Sequence, residues 1–438
     1  MKTYFYLVMF ALLPMLFACS DDDKDDVYKT YSLNVELTYP DGVSAIADVP
    51  VVLTDAKAIT YDGKTNADGI ASFTVPAGLY QATVSDRRTG DDFSVTMYNG
   101  NKSDISVGDT GDDITYVGRV SLVESKTSQL VIKELYTGGI SYTNESDGKP
   151  KTYHFDKYVI LYNNSAENLS LDNIALAMIL PYNSGGTNKD YVDDKLLYDG
   201  EGWTPAGTGI WYFQEGTTIE AGKQMVIALN NATDHTPTYP TSVNLAKAEY
   251  YCTYDIEVYP NTTYYPAPSE NIPTSHYLKA YHYGTGNAWP LSSVSPAFFL
   301  FSPKGQTLAE FVADASNMDY YGGSNSQKRK KVKNEWILDA LEVFEKDNAK
   351  NLKRFTAVSD AGAVEITKAS GYTAYRNVDA EMTKAIAGNE DKLVLGYADD
   401  PSGIDAEASI KNGAVIIYQD TNNSTADFHE RKQASIKE

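Results

Sequence analysis

From Tyr31 the chain alternates: Leu33, Val35 and Leu37 point one way, and Ser32, Asn34 and Glu36 the other, the period of a half-buried strand. Tyr39-Pro40-Asp41-Gly42 is a turn in which Pro presets one dihedral and Gly accepts a positive one, and Asn66-Ala67-Asp68-Gly69 precedes another strand at 70–75. Further strands are predicted at 49–53 and 81–85. A second run of strands starts at 130–136 and continues at 156–162, 211–213, 224–229 and 297–301. After the turn Ser302-Pro303-Lys304-Gly305, residues 308–312 read as a hairpin partner. Residues 336–343 fit a strand or a short helix by period, 415–418 form a last apolar run, and 380–386 supply one short helical turn. No βαβ alternation occurs, so the fold class is all-β.

The front of the chain is an address. Met1 and Lys2 are followed by residues 4–17 without a charge, shorter than the about 20 apolar residues of a membrane span but suited to a secretory signal. It closes on Leu16-Phe17-Ala18-Cys19, which resembles the lipobox of bacterial lipoproteins; Phe17 is bulkier than is usual there. The resemblance implies cleavage after residue 18 and acylation of Cys19. Residues 19–29 carry five Asp, at 21, 22, 23, 25 and 26, and cannot bury themselves, so they form a solvated tether. This run resembles the acidic export signal that sends lipoproteins of Bacteroidetes-type bacteria to the outer face of the outer membrane. A spacer on a lipoprotein facing the periplasm is the alternative.

Two β-sandwich domains in tandem follow. The turn ending in Asp68-Gly69, the Phe73 strand and Pro76-Ala77-Gly78-Leu79-Tyr80 resemble prealbumin-like or carboxypeptidase-regulatory-like sandwiches over 30–122, in which such residues shape the fold. Three later stretches are Ile132-Lys133-Glu134-Leu135-Tyr136, Tyr158-Val159-Ile160-Leu161-Tyr162-Asn163 and Leu169-Ser170-Leu171. Together with Ile219-Glu220-Ala221-Gly222 they resemble a lamin-tail-like immunoglobulin sandwich over 128–430, with Ile160 where an acidic residue is usual. Long loop insertions interrupt it at 183–210, 231–295 and 345–410. Its closure, Asp420-Thr421-Asn422-Asn423-Ser424 with Asp427-Phe428, also resembles a functionally undescribed family of Bacteroidetes surface lipoproteins. Relatives of that kind commonly serve outer-membrane nutrient transporters, which implies a TonB-dependent transporter as partner and iron, a cofactor or a glycan as cargo.

Composition narrows the chemistry. In 438 residues, 59 acids against 37 bases leave a net charge of −22, which repels phosphate backbones and excludes nucleic acid as a partner. With Cys19 acylated, Cys252 stands alone, neither a disulfide nor a thiolate metal site, and reads as a small half-buried side chain. No His-x-x-x-His pair, nucleophile elbow or phosphate loop occurs, and no cofactor is implied. His276 and His282 would share one face of a strand; exposed polar positions are the bland reading. Gly108-Asp109-Thr110-Gly111-Asp112-Asp113 lacks the spaced ligands of a calcium loop and reads as a turn. Acid pairs such as Asp193-Asp194 and Asp399-Asp400 are expected by chance among so many. The basic run Lys328-Arg329-Lys330-Lys331-Val332-Lys333 reads as a solvated loop or a dock for an acidic partner.

Tyr is the oddity, 34 against 14 Phe. Tyr250, Tyr251, Tyr264, Tyr265, Tyr281 and Trp289 lie in an irregular stretch broken by Pro260, Pro266, Pro268 and Pro273. They read equally as a ligand-binding surface and as a lid packed on the core. The leading expectation is a non-catalytic, surface-anchored ligand- or partner-binding accessory. A structural stalk or adhesin component and a secreted hydrolase are the alternatives.

Overall fold

The computed structural model describes residues 29–57, 59–89, 95–108, 114–126, 129–165, 167–181, 187–193, 195–386, 388–389 and 391–437. Cys19, most of the acidic tether and nearly all of the 108–113 turn lie outside them.

The first unit is a sandwich of two sheets. One orders β4 (Ile70–Pro76), β1 (Thr30–Thr38) and β7 (Tyr116–Ser121). The other orders β3 (Thr60–Lys64), β2 (Pro50–Asp55), β5 (Gly78–Thr89), β6 (Val95–Val107) and β8 (Val123–Lys126). The alternation read along β1 is its burial pattern: Leu33, Val35 and Leu37 meet Val51, Leu53, Phe73, Val75, Ala82 and Val84 in one core. Gly42 and Gly69 take positive φ, +83° and +76°, in the two predicted turns.

The second unit is built on a sheet of twelve strands. From one edge these are Val364–Ile366, Ile337–Glu345, Ala297–Phe301, Ala175–Met178, Gly209–Tyr212 and Tyr277–His282. Tyr251–Thr253, Gln224–Ala228, Tyr158–Asn163, β9 (Leu130–Tyr136), Thr373–Arg376 and Phe428–Arg431 complete it. The sheet rolls until its ends face each other, where the Asp339 carboxylate accepts the Ile132 N–H and Glu430 accepts that of Thr367.

Every residue of β9 and of Tyr158–Asn163 is buried, because this sheet is covered on both faces. Ile132, Val159, Leu161, Leu176, Trp211 and Ile227 fill the inside. Outside, three smaller cores lie under the insertions. Tyr158, Ile160 and Val226 are capped by Val243, Leu245 and Ile272. Phe299 and Phe301 are capped by Leu308, Phe311 and Phe355. Val131 and Tyr375 are capped by Ile404, Ala406 and Ile416. The insertions are therefore a second layer of wall.

Three expectations differ from the fold. Residues 308–312 are not a strand but helix α1 (Leu308–Ala313), started by a capping box in which Thr307 and Glu310 satisfy each other's backbone N–H. Residues 415–418 join no strand of the sheet: beside a bridge from Tyr418 to Val378, they are held by side chains, with the Tyr162 hydroxyl donating to the Ile416 carbonyl and the Ile417 and Tyr418 N–H groups donating to Thr383 and Asn164. Cys252 is wholly buried, and that burial pushes its thiol up. The ambiguous 336–343 stretch is a strand, Ile337–Glu345, and 380–386 forms α2 (Ala380–Ala385).

Candidate functional site

The aromatic residues chosen from sequence do not form one surface. Tyr250, Tyr265 and Trp289 are buried, at 6%, 1% and 0% exposure, which takes them out of a ligand's reach and corrects that part of the reading. The Trp289 N–H donates to the Tyr265 hydroxyl at 3.0 Å, and its indole N–H to the Gly209 carbonyl at 2.9 Å. Trp211 completes the group with ring centroids 5.3 Å from Tyr259 and 5.6 Å from Tyr265. Tyr251, Tyr264 and Tyr281 are partly exposed but separate: Tyr251 stacks on His276 at 4.0 Å, Tyr281 on Tyr212 at 4.8 Å, and Tyr264 packs edge-on to Tyr265. His276 sits in a 3-10 turn while His282 ends the following strand beside Tyr259, so the two do not share a strand face.

The basic run is structural too. Residues Lys328–Lys333 form the middle strand of a three-stranded sheet. The Arg329 guanidinium, 4% exposed, holds Asp190 at 2.6 Å and Asp319 at 2.5 Å, and Lys330 donates to the Asp314 carbonyl at 2.7 Å. Lys331 and Lys333 lie over the Trp203 and Trp336 rings.

The closing motif is a buried knot of charge. Arg376, fully buried, reaches Asp339 at 2.5 Å, Asp420 at 3.4 Å and Asp427 at 3.9 Å. Asp427 also accepts from the Thr421 N–H and hydroxyl and from the Asn423 N–H, while Ser424 donates to Asp360 at 2.6 Å. Burial outweighs the arginine and pushes Asp339 up to about 6 and Asp427 to about 7. Glu342, also buried, goes the other way: Lys353 and Arg354 at 2.7 and 2.9 Å hold its carboxyl below the usual range despite its burial. These groups close the sheet and are not open to a substrate.

What is open is a cleft of about 1250 Å³ where residues 187–191, the turn after Ile337–Glu345 and the chain after Val364–Ile366 meet. Lys346, Lys350, Lys368, Glu345 and Asp347 supply charge, Thr187, Asn188, Asn348 and Thr367 neutral hydrogen-bonding groups, and Tyr191 and Leu352 apolar area. Glu345 is fixed: it pairs with Lys368 and accepts from the Asn348 amide at 2.8 Å, and the Lys368 hydrogen bond holds its carboxyl below the usual range. Lys346 leans on Glu430 at 3.7 Å, and the Tyr191 hydroxyl donates to the Lys353 carbonyl. Such a mixture can bind a polar ligand through hydrogen bonds and ammonium contacts. Sequence reasoning missed it because its walls come from two different insertions; the only local signal was the polar turn Lys346-Asp347-Asn348-Ala349-Lys350-Asn351. Among the described residues, no group of three or more His, Cys, Asp or Glu is placed to hold a metal, and no helix is long and apolar enough to cross a membrane.

Residues 220–435 match the model of the family DUF4876, described as a protein of unknown function. The solved structure of a DUF4876 family protein from Bacteroides thetaiotaomicron VPI-5482 is similar at 21% identity and a TM-score of 0.50, covering 91% of this chain and 94% of that one. At that identity the likeness speaks for the all-β fold. A DUF3823 family protein from Parabacteroides merdae ATCC 43184 is 13% identical over 34% of this chain and 65% of that chain, with a TM-score of 0.14, too loose to carry an argument. No curated protein matches the chain.

Proposed function

We propose that this chain, whose residues 220–435 match the DUF4876 family, is an outer-membrane lipoprotein acylated at Cys19 and facing the cell exterior. It acts as a non-catalytic accessory that captures a nutrient, a small molecule or glycan, for a neighbouring TonB-dependent transporter. The observation that supports capture is the 1250 Å³ cleft, a polar opening on a unit whose buried charged groups are locked in pairs. The ligand site moves accordingly from the tyrosine insertion to this cleft.

The test has two arms. Cells fed radioactive palmitate should label the wild-type protein and not Cys19→Ala; label in neither, or release of wild type into the medium, rejects the anchor. Crosslinking on intact cells should recover a transporter, and Lys346→Glu with Lys350→Glu should weaken growth on the nutrient at least tenfold while leaving the protein on the surface. Unchanged growth would reject the cleft. The first unit gives one observation in favour of a stalk: its chain enters at one end of the sandwich and leaves at the other. Recovery of neighbouring adhesins without a transporter would establish that reading instead.

A further inference from the structure

The register of the first unit places seven strand termini at one end. Thr30 opposes Pro76, Leu33 opposes Tyr116, Gly78 opposes Val107, and Thr54 opposes Thr60. The chain arrives here at Lys29, separated from the start of the mature chain by residues 19–28. It leaves from the other end, where Lys126 opposes Thr96, toward the second unit.

The arrival end is also where the unit is apolar outside. Six large hydrophobic side chains of this unit are exposed among the described residues: Ile46, Ile59, Leu79, Ile114, Val117 and Val123. Three of them, Ile59, Leu79 and Ile114, lie within two residues of a strand terminus at the arrival end, at 51%, 49% and 47% exposure, while Val117 opposes Asn34, four registers farther along β1. Scattered singly they would mean nothing. Here they accompany exposed Lys29 and Lys57, with the Lys29 ammonium 5.3 Å from the centre of the Tyr31 ring and Tyr31 edge-on to Tyr116 at 5.9 Å. Aliphatic side chains that enter a lipid boundary, aromatic rings at its level and lysines that reach back to headgroups are the composition of a membrane-contacting face.

We infer that this end of the first sandwich rests on the lipid surface, with Ile59, Leu79 and Ile114 among the headgroups. The inference rests on the anchor proposed at Cys19, and the length of chain supports it: ten residues span at most roughly 35 Å, so an acyl chain in the leaflet keeps this end at high local concentration against it. The second unit and its cleft then face away from the membrane.

The experiment uses the acylated protein in phosphatidylethanolamine vesicles, with and without brominated acyl chains. The emission that Leu79→Trp adds to that of the four native tryptophans should fall at least twofold on bromination, whereas the emission added by Leu395→Trp, at a position of the second unit that is 65% exposed, should not respond. In the Cys19→Ala background at excess lipid, Ile59→Asp with Leu79→Asp should lower vesicle association at least fivefold. Vesicle-bound acylated protein whose Leu79→Trp emission is unquenched overturns the seat and leaves the anchor standing. Absent palmitate labelling with quenching still seen in the Cys19→Ala background overturns the anchor and leaves the seat. A concentration-dependent dimer without quenching assigns the three side chains to a second copy and overturns the inference.

Discussion

Gly209 sits where the aromatic insertion meets the sheet. A Cβ there would lie 2.1 Å from the Tyr259 hydroxyl and 2.6 Å from the Tyr281 carbonyl oxygen. The ring could shift; the carbonyl belongs to the paired strand and cannot. Replacing a glycine at a compatible site gains up to about 1 kcal/mol, but overpacking costs about 1–3 kcal/mol, so Gly209→Ala should lose net stability, read as a lower urea midpoint. His429 makes a second case. Its ring is mostly buried, its Nδ1 lies 2.7 Å from the Asn377 amide oxygen, and burial followed by the Arg431 charge lowers it to about 4. The folded state thus binds a proton less readily than the unfolded chain, where His titrates near 6.5, and this ring subtracts stability as pH falls from about 6.5 toward 4. Between pH 7 and pH 5 the loss from His429 is about 2 kcal/mol, and His429→Gln should remove it from the pH slope. Equal slopes for the two proteins would show that the ring takes up its proton as readily in the fold as in the unfolded chain.

At the scale of elements, Lys328–Lys333 shows why a charge run misleads. Its sequence reads as solvated because pattern alone cannot see Asp190, distant in the chain, delivered to Arg329. Removing a buried partner leaves charges uncompensated, so Arg329→Met should cost about 3–5 kcal/mol, while Lys333→Ala, at 60% exposure, should cost less than about 0.5 kcal/mol. Thermal or urea unfolding of the two variants checks the contrast. Strands whose information is local were legible: β1 by alternation, β9 and Ala297–Phe301 by unbroken apolar runs, the turns by Gly42 and Gly69. Residues 308–312 were not, because the turn Ser302-Pro303-Lys304-Gly305 signals a hairpin while Thr307 and Glu310 start a helix directly after it. The cleft was illegible for a different reason: Tyr191, Lys350 and Lys368 become neighbours only after the sheet has rolled.

The whole molecule holds two independent cores. Residues 33–122 pack around one, and residues from Leu130 onward around another with its three outer layers. Between them the described residues include the hydrogen bond from the Asn99 amide to the Thr421 carbonyl, 3.0 Å, and two crevices of about 370 and 290 Å³ that share Val358. A junction with crevices and polar contacts couples two domains weakly. Calorimetry of the mature chain should therefore show two transitions rather than one. Leu53→Ala, fully buried in the first sandwich, should lower one of them, and Trp211→Ala, buried in the second unit, the other, each by a cavity loss of about 2–5 kcal/mol. A single transition displaced by both variants would mean that the crevices close in solution and the units unfold together. Two transitions suit a device in which the first sandwich, nine residues or about 30 Å long in β1, only carries the second away from its attachment. Ligand binding should then follow the stability of the second unit alone.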